Sequence, residues 1–183
     1  YAIVSIEYRL SEEAPFPAQI EDCKAAVRWL RANAATYHFD PDHIGAWGHS
    51  AGGHFSALLG TSGGVAALEG DGDNLNYSSR VQAVCDLSGP SDILSLYEGV
   101  SHATEGSGRR ARSFIEKFLR GTGAGKKAKA IAASRVTDIS TEDPPFRLIH
   151  GRNDLRSPVS LSKLYVQKQK FARIANPPYF PSR

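Results

Sequence analysis

Gly48-His49-Ser50-Ala51-Gly52 stands between an apolar run, Ile44 to Trp47, and a helix-favouring run, Ala51 to Leu59. A G-x-S-x-G pattern says little by itself, but a strand before it and a helix after it constrain a chain strongly. The serine of such a turn occupies a strained backbone conformation that lifts its hydroxyl above a sheet. Glycines on either side let strand and helix approach closely. On this reading Gly48 and Gly52 are glycine because side chains there would collide. His49 points away from the nucleophile's side, and Ser50 is a candidate nucleophile. The helix start places free backbone N–H groups and a positive dipole end beside Ser50. The N–H of Ala51 is therefore a candidate oxyanion donor. The bland alternative is a Gly-rich strand-to-helix turn with an incidental serine.

The flanking sequence supplies a setting for that turn. Tyr1 to Tyr8 is β-branched and aromatic, with apolar residues on both faces of its first half, and is expected to be a strand covered by helices on both sides. Pro17 opens a helix expected from about Ala18 to Thr36, since proline suits a first helical turn. Its apolar stripe is Ile20, Cys23, Val27, Leu30 and Ala34. Gly60 to Ser79 reads as a loop, and Val81 to Leu87 and Phe146 to His150 as further strands. Cys23 and Cys85 fall within apolar patterns and read as buried, small hydrophobic residues. Strand and helix in alternation predict an α/β fold, a mostly parallel sheet with helices on both faces. A chain of 183 residues suits one such domain.

Between Gly106 and Arg135 nine Lys or Arg residues face one acid, Glu116, so this segment carries +8 and the remainder −5. The charges interleave with glycine and alanine and have no aromatic platform. They therefore read as a solvated surface rather than a nucleic-acid site. Residues 90–135 are expected to form a loop or cap-like excursion above the sheet. One short helix is expected there, over Ser113 to Arg120, with Phe114, Ile115, Phe118 and Leu119 on one side. No apolar run is long enough to span a bilayer. Neither cysteine lies in a zinc-ligand spacing, so no metal and no cofactor are expected.

A serine nucleophile needs a base, and the base an orienting acid. Asp154, just past the strand ending at His150, lies on the edge where open parallel sheets bind ligands, and is the leading acid. Asp92, Asp138 and Asp143 are rivals that read better as caps or turn residues.

Several separated segments carry a family likeness. Tyr8-Arg9-Leu10-Ser11, Ala14-Pro15-Phe16-Pro17, Ala25 to Leu30, Gly48 to His54, and Pro144-Pro145-Phe146 followed by His150-Gly151 and Asp154 resemble the α/β-hydrolase esterases. Within them the likeness is to the acetyl-esterase and feruloyl-esterase-like branch near the hormone-sensitive-lipase group. The resemblance implies serine-dependent hydrolysis of small or aryl carboxylic esters, without metal or cofactor. Ser50 would be acylated, and water would then release the acid. Prolyl-oligopeptidase-type serine peptidases share the elbow and are an alternative. So is a hydrolase-like protein that binds without turnover.

The resemblance also implies parts not visible in these residues. A His-Gly-Gly motif would precede Tyr1, and the base histidine would follow Asp154 after a further strand. Among the six histidines, His49, His54 and His150 read as pointing elsewhere or orienting loops. His38, His43 and His102 lie in connections. The stretch from Phe171, with Pro177, Pro178 and Pro181, reads as an aberrant tail. The chain is therefore expected to be a partial α/β-hydrolase domain over 1–183, lacking its amino-terminal strands and last strand, inactive alone and prone to aggregate. The family's third strand would sit between Tyr1–Tyr8 and Ile44–Trp47, leaving a gap there. Compartment and oligomeric state stay open, the cytoplasm marginally favoured.

Overall fold

The computed structural model describes residues 1–100, 105–136, 139–154 and 157–171. Three strands, β1 (Gly45–His49), β2 (Ala83–Leu87) and β3 (Phe146–Ile149), form one parallel sheet in the order β1-β2-β3. Trp47 pairs with Cys85 and Cys85 with Arg147, while His49 pairs with Leu87 and Leu87 with Ile149. The carboxyl ends of all three strands therefore lie level along one edge.

Around the sheet stand α1 (Ala18–Ala32), the short α2 (Ala34–Tyr37), α3 (Ala51–Thr61), α4 (Ile93–Val100), α5 (Gly106–Leu119), α6 (Gly123–Ala132) and α7 (Val159–Phe171). The helix expected over 18–36 breaks at Asn33, whose backbone N–H and side-chain Nδ2 both turn back to the Trp29 carbonyl, at 3.0 and 2.9 Å. Ile20, Cys23 and Val27 are buried, as their stripe predicts, and burial pushes the Cys23 thiol up to about 12. Cys85 is only half-buried, because it lies on the less covered side of β2.

The polar flank of α1 is buried too. Lys24, fully enclosed, donates to the Ser62 carbonyl at 2.6 Å and to Glu69 Oε1 at 2.7 Å. Arg28 Nη1 donates to Glu69 Oε2 at 2.8 Å and to the Glu69 carbonyl at 3.0 Å. Past the end of α3 at Thr61, the rest of the Gly60–Ser79 stretch has a single 3-10 turn at Ala66–Leu68. It is pinned to α1 through charge. Burial alone would raise the Glu69 carboxyl; hydrogen bonds from Lys24 and Ser79, with the Lys24 and Arg28 charges, outweigh it and hold it low.

Three expectations need correction. Residues 1–10 make no strand among the described residues. The segment is tied down at Tyr8, whose ring meets Phe55 edge-on at 5.0 Å, and at Arg9, which Asp22 clasps at 2.7 Å. A groove of about 260 Å³ separates Val4, Ser5, Ile6 and Tyr8 from Gly45, Ala46 and Trp47 of β1. A strand exists through its ladder partner, and across this groove Tyr1–Tyr8 has none.

Helices on both faces are not what the described residues show. Gly60 of α3 packs against Val84 and Phe146, Gly53 against Asp86, and Tyr165 of α7 against Phe146, all on one face. On the other face Gly45, Trp47, His49, Ala83 and Arg147 are exposed. The cause is topological: parallel crossovers are right-handed, and crossovers that all step the same way across a sheet lie on the same side.

The 90–135 segment is neither a loop nor an excursion. It folds into α4, α5 and α6, and Ile115, Phe118, Leu119, Ala130, Ala133 and Val136 join the core. Phe118 packs against Phe16 at 5.4 Å and against His54 and Phe55 at 6.1 Å. Phe114, expected beside them, is exposed. Arg109, Arg110, Lys117, Arg120 and Lys127 are solvated, as their charge predicts, but Arg135 is fully buried. The tail from 172 onward lies outside the described residues.

Candidate active site

Ser50 ends β1 and caps α3 with φ 55° and ψ −116°, a conformation that L-residues adopt only under strain. Its N–H donates to the Leu87 carbonyl at 2.8 Å, which fixes it to the sheet edge, and the residue is exposed. Ala51 is the first residue of α3, where no earlier carbonyl can take its N–H. The strained turn is present, and the Ala51 N–H lies at the helix start beside it.

The glycine expectations divide. A Cβ at Gly48 would stand 2.3 Å from the carbonyl carbon and oxygen of Gly52, so Gly48 is required. A Cβ at Gly52 would meet nothing within 4 Å, so the collision expected there does not occur. Gly52 faces the open groove beside β1. The second obligatory glycine is Gly53, where a Cβ would lie 2.3 Å from Asp86 Oδ1. The sequence signal for it, the doubled Gly52-Gly53, was present but not distinguished.

Asp154 lies in the turn after β3, two strands across from Ser50. Adjacent strands are spaced ~4.8 Å apart, so the two strand ends are separated by roughly 10 Å. An imidazole between the two side chains could bridge such a gap. Asp154 Oδ1 accepts the Ser157 N–H at 3.0 Å, and Oδ2 lies 3.7 Å from His150 Nε2. His150 is buried, with Nδ1 2.7 Å from Ser162 Oγ and Nε2 2.7 Å from the Ser157 carbonyl. Nε2 thus meets the Asp154 turn and Nδ1 meets α7, so both ring nitrogens are engaged.

The other candidates are also placed. Asp92 receives Ser95 N at 2.9 Å, and Asp143 receives Ser140 N at 3.2 Å, so both cap local turns. Asp138 and His102 lie outside the described residues. His54 is buried against Phe55 and Phe118, with Nδ1 2.9 Å from the Pro90 carbonyl. Burial, assisted by the Arg135 charge, lowers its pKa to about 4. His43 pairs with Asp40 at 2.8 Å, His38 ends α2, and His49 is exposed on the open face of β1. Among the described residues no histidine hydrogen-bonds to Ser50.

The site thus holds a strained serine at a strand-to-helix turn and a carboxylate two strands over, with helices on the α3 side. The family model BD-FAE matches residues 1–169. The chain belongs to this family. It is a family of α/β-hydrolase esterases. From Mycobacterium tuberculosis, esterase LipQ is 31% identical over 96% of the chain, and esterase LipC 27% over 92%; in each the match covers 40% of the relative's length. Among solved structures, a truncated form of a carbohydrate esterase from gut microbiota superposes with TM-score 0.82 at 31% identity. That match covers 96% of this chain and 64% of the other. A butyrate-bound esterase, Est2, from Thermogutta terrifontis superposes with TM-score 0.72 at 26% identity, covering 96% and 59%. The chain thus spans about two fifths of these curated relatives and about three fifths of these solved structures.

Proposed function

We propose that the full-length protein carrying this BD-FAE domain is a serine-dependent carboxylic ester hydrolase acting on small or aryl esters through an acyl-enzyme. The observation that carries the reading is the strained backbone of Ser50, an exposed serine held beside the N–H of Ala51 at the start of α3. Gly48, His49 and Gly52 complete that turn. In the proposed reaction Ser50 Oγ attacks the ester carbonyl and passes its proton to a histidine. The Ala51 N–H stabilises the oxyanion, the alcohol leaves with the proton, and water then releases the acid by the same steps. Asp154 orients the histidine and stabilises its imidazolium. In this proposal the histidine and the second oxyanion donor come from polypeptide outside these residues. The names of the relatives, esterases of bacterial origin and carbohydrate esterases, favour esters over peptides.

The test compares p-nitrophenyl acetate with a peptide anilide as substrates of the full-length protein. Hydrolysis of the ester, abolished by Ser50→Ala and lowered by Asp154→Asn, is the expected result. Turnover of the anilide alone would assign the site to a peptidase. Turnover of neither would leave a binding protein on a hydrolase fold.

A further inference from the structure

Beneath the elbow lies a buried ion pair that takes no direct part in ester chemistry. Asp86 on β2 is 1% exposed, and Arg135, just past α6, is 0% exposed. Arg135 Nη1 donates to Asp86 Oδ2. Its Nη2 donates to the Gly89 carbonyl at 2.9 Å, and its guanidinium lies 4.6 Å over the Tyr165 ring. Asp86 Oδ1 accepts the Gly89 N–H at 2.8 Å. Both backbone polar groups of Gly89 are therefore held by the pair.

Gly89 in turn presses on the first turn of α3. A Cβ there would stand 2.5 Å from His54 N and 2.6 Å from the Gly53 carbonyl carbon, so only glycine fits. A Cβ at Gly53 would likewise stand 2.3 Å from Asp86 Oδ1, and the Pro90 carbonyl lies 2.9 Å from His54 Nδ1. Through these contacts a shift of the Ser88–Pro90 turn is felt at Gly53 and His54 in the first turn of α3. Charge matters as well. Asp86 lies against Gly53, two residues along α3 from the donor that faces the oxyanion. Unpaired, it would oppose the negative charge that develops there; Arg135 balances it.

We infer that Asp86 and Arg135 are positioning residues for Ser50, clamping the turn after β2 against α3 so that the Ala51 N–H stays aimed at the reacting oxygen. The kinetic part rests on the hydrolase reading above; the structural part rests on the contacts alone.

Two readouts on the full-length protein test it. In Asp86→Asn, amide hydrogen exchange over residues 50–55 is expected to quicken roughly tenfold, with exchange over α1 unchanged. On p-nitrophenyl acetate, kcat is expected to fall at least about tenfold while KM stays within about twofold. Arg135→Lys keeps the charge but loses the forked contact, so its loss should be smaller than that of Arg135→Met. It also carries both readouts if Asp86→Asn does not fold. Exchange that rises equally in α1 and residues 50–55, or a kcat within about twofold of the parent, overturns the inference. A parent that hydrolyses no ester defeats the proposed function instead, and the exchange pattern then decides the clamp by itself.

Discussion

A Cβ added at Gly48 would stand 2.3 Å from the backbone of Gly52, whereas one added at Gly52 meets open space. Gly48→Ala is therefore expected to cost about 3 kcal/mol or more and lower the melting temperature, because backbone has to move. Gly52→Ala should be near neutral in these 183 residues, and calorimetry of both variants checks the contrast. His54 adds a pH dependence. Its folded pKa of about 4 lies below the ordinary value of 6.5. Between those values the unfolded chain binds more protons than the folded one, so stability rises with pH across that window. The contribution is on the order of 3 kcal/mol, fully lost below the lower value. Urea midpoints measured from pH 4 to 7 should show a slope that His54→Gln flattens; an unchanged slope contradicts this assignment.

At the scale of elements, the strand-turn-helix around Ser50 was legible because its pattern is local: an apolar run, two glycines and a helix start within a few residues. The Asp154 turn was legible for the same reason. What escaped was set by distant partners. Arg135 looks like the eight other cations of its segment, and only its burial against Asp86 sets it apart. α4 and α6 were missed because glycine, serine and lysine weaken the helical pattern, while Ala130, Ala133 and Val136 gain order by joining a core assembled elsewhere. Tyr1–Tyr8 has a strand's composition, but composition does not supply a neighbour. The packing of the missed helices makes a prediction: Phe118→Ala should cost about 3–5 kcal/mol, since it removes a buried ring shared by Phe16, His54 and Phe55. The Lys24–Glu69–Arg28 network makes another. Glu69→Ala leaves Lys24 enclosed with only the Ser62 carbonyl, and should destabilise by about 3–5 kcal/mol in denaturant titration.

Over the whole molecule, two surfaces stand open among the described residues: the groove beside β1 and the sheet face bearing Trp47, which is 70% exposed. Parallel sheets ordinarily bury both faces, and right-handed crossovers leave this one for polypeptide that does not step from β1 to β3. Residues 1–183 alone should therefore bind an apolar dye such as ANS and self-associate, and the full-length protein should do neither. Equal dye binding by both would contradict that account of the open face. The central claim, an acyl-enzyme on Ser50, is tested most directly by mixing the full-length protein with p-nitrophenyl acetate, quenching in acid and mapping the modified peptide by mass spectrometry. The account predicts one acetyl group on the peptide containing Ser50, absent from Ser50→Ala. Acetylation elsewhere, or ester turnover that survives Ser50→Ala, would contradict it.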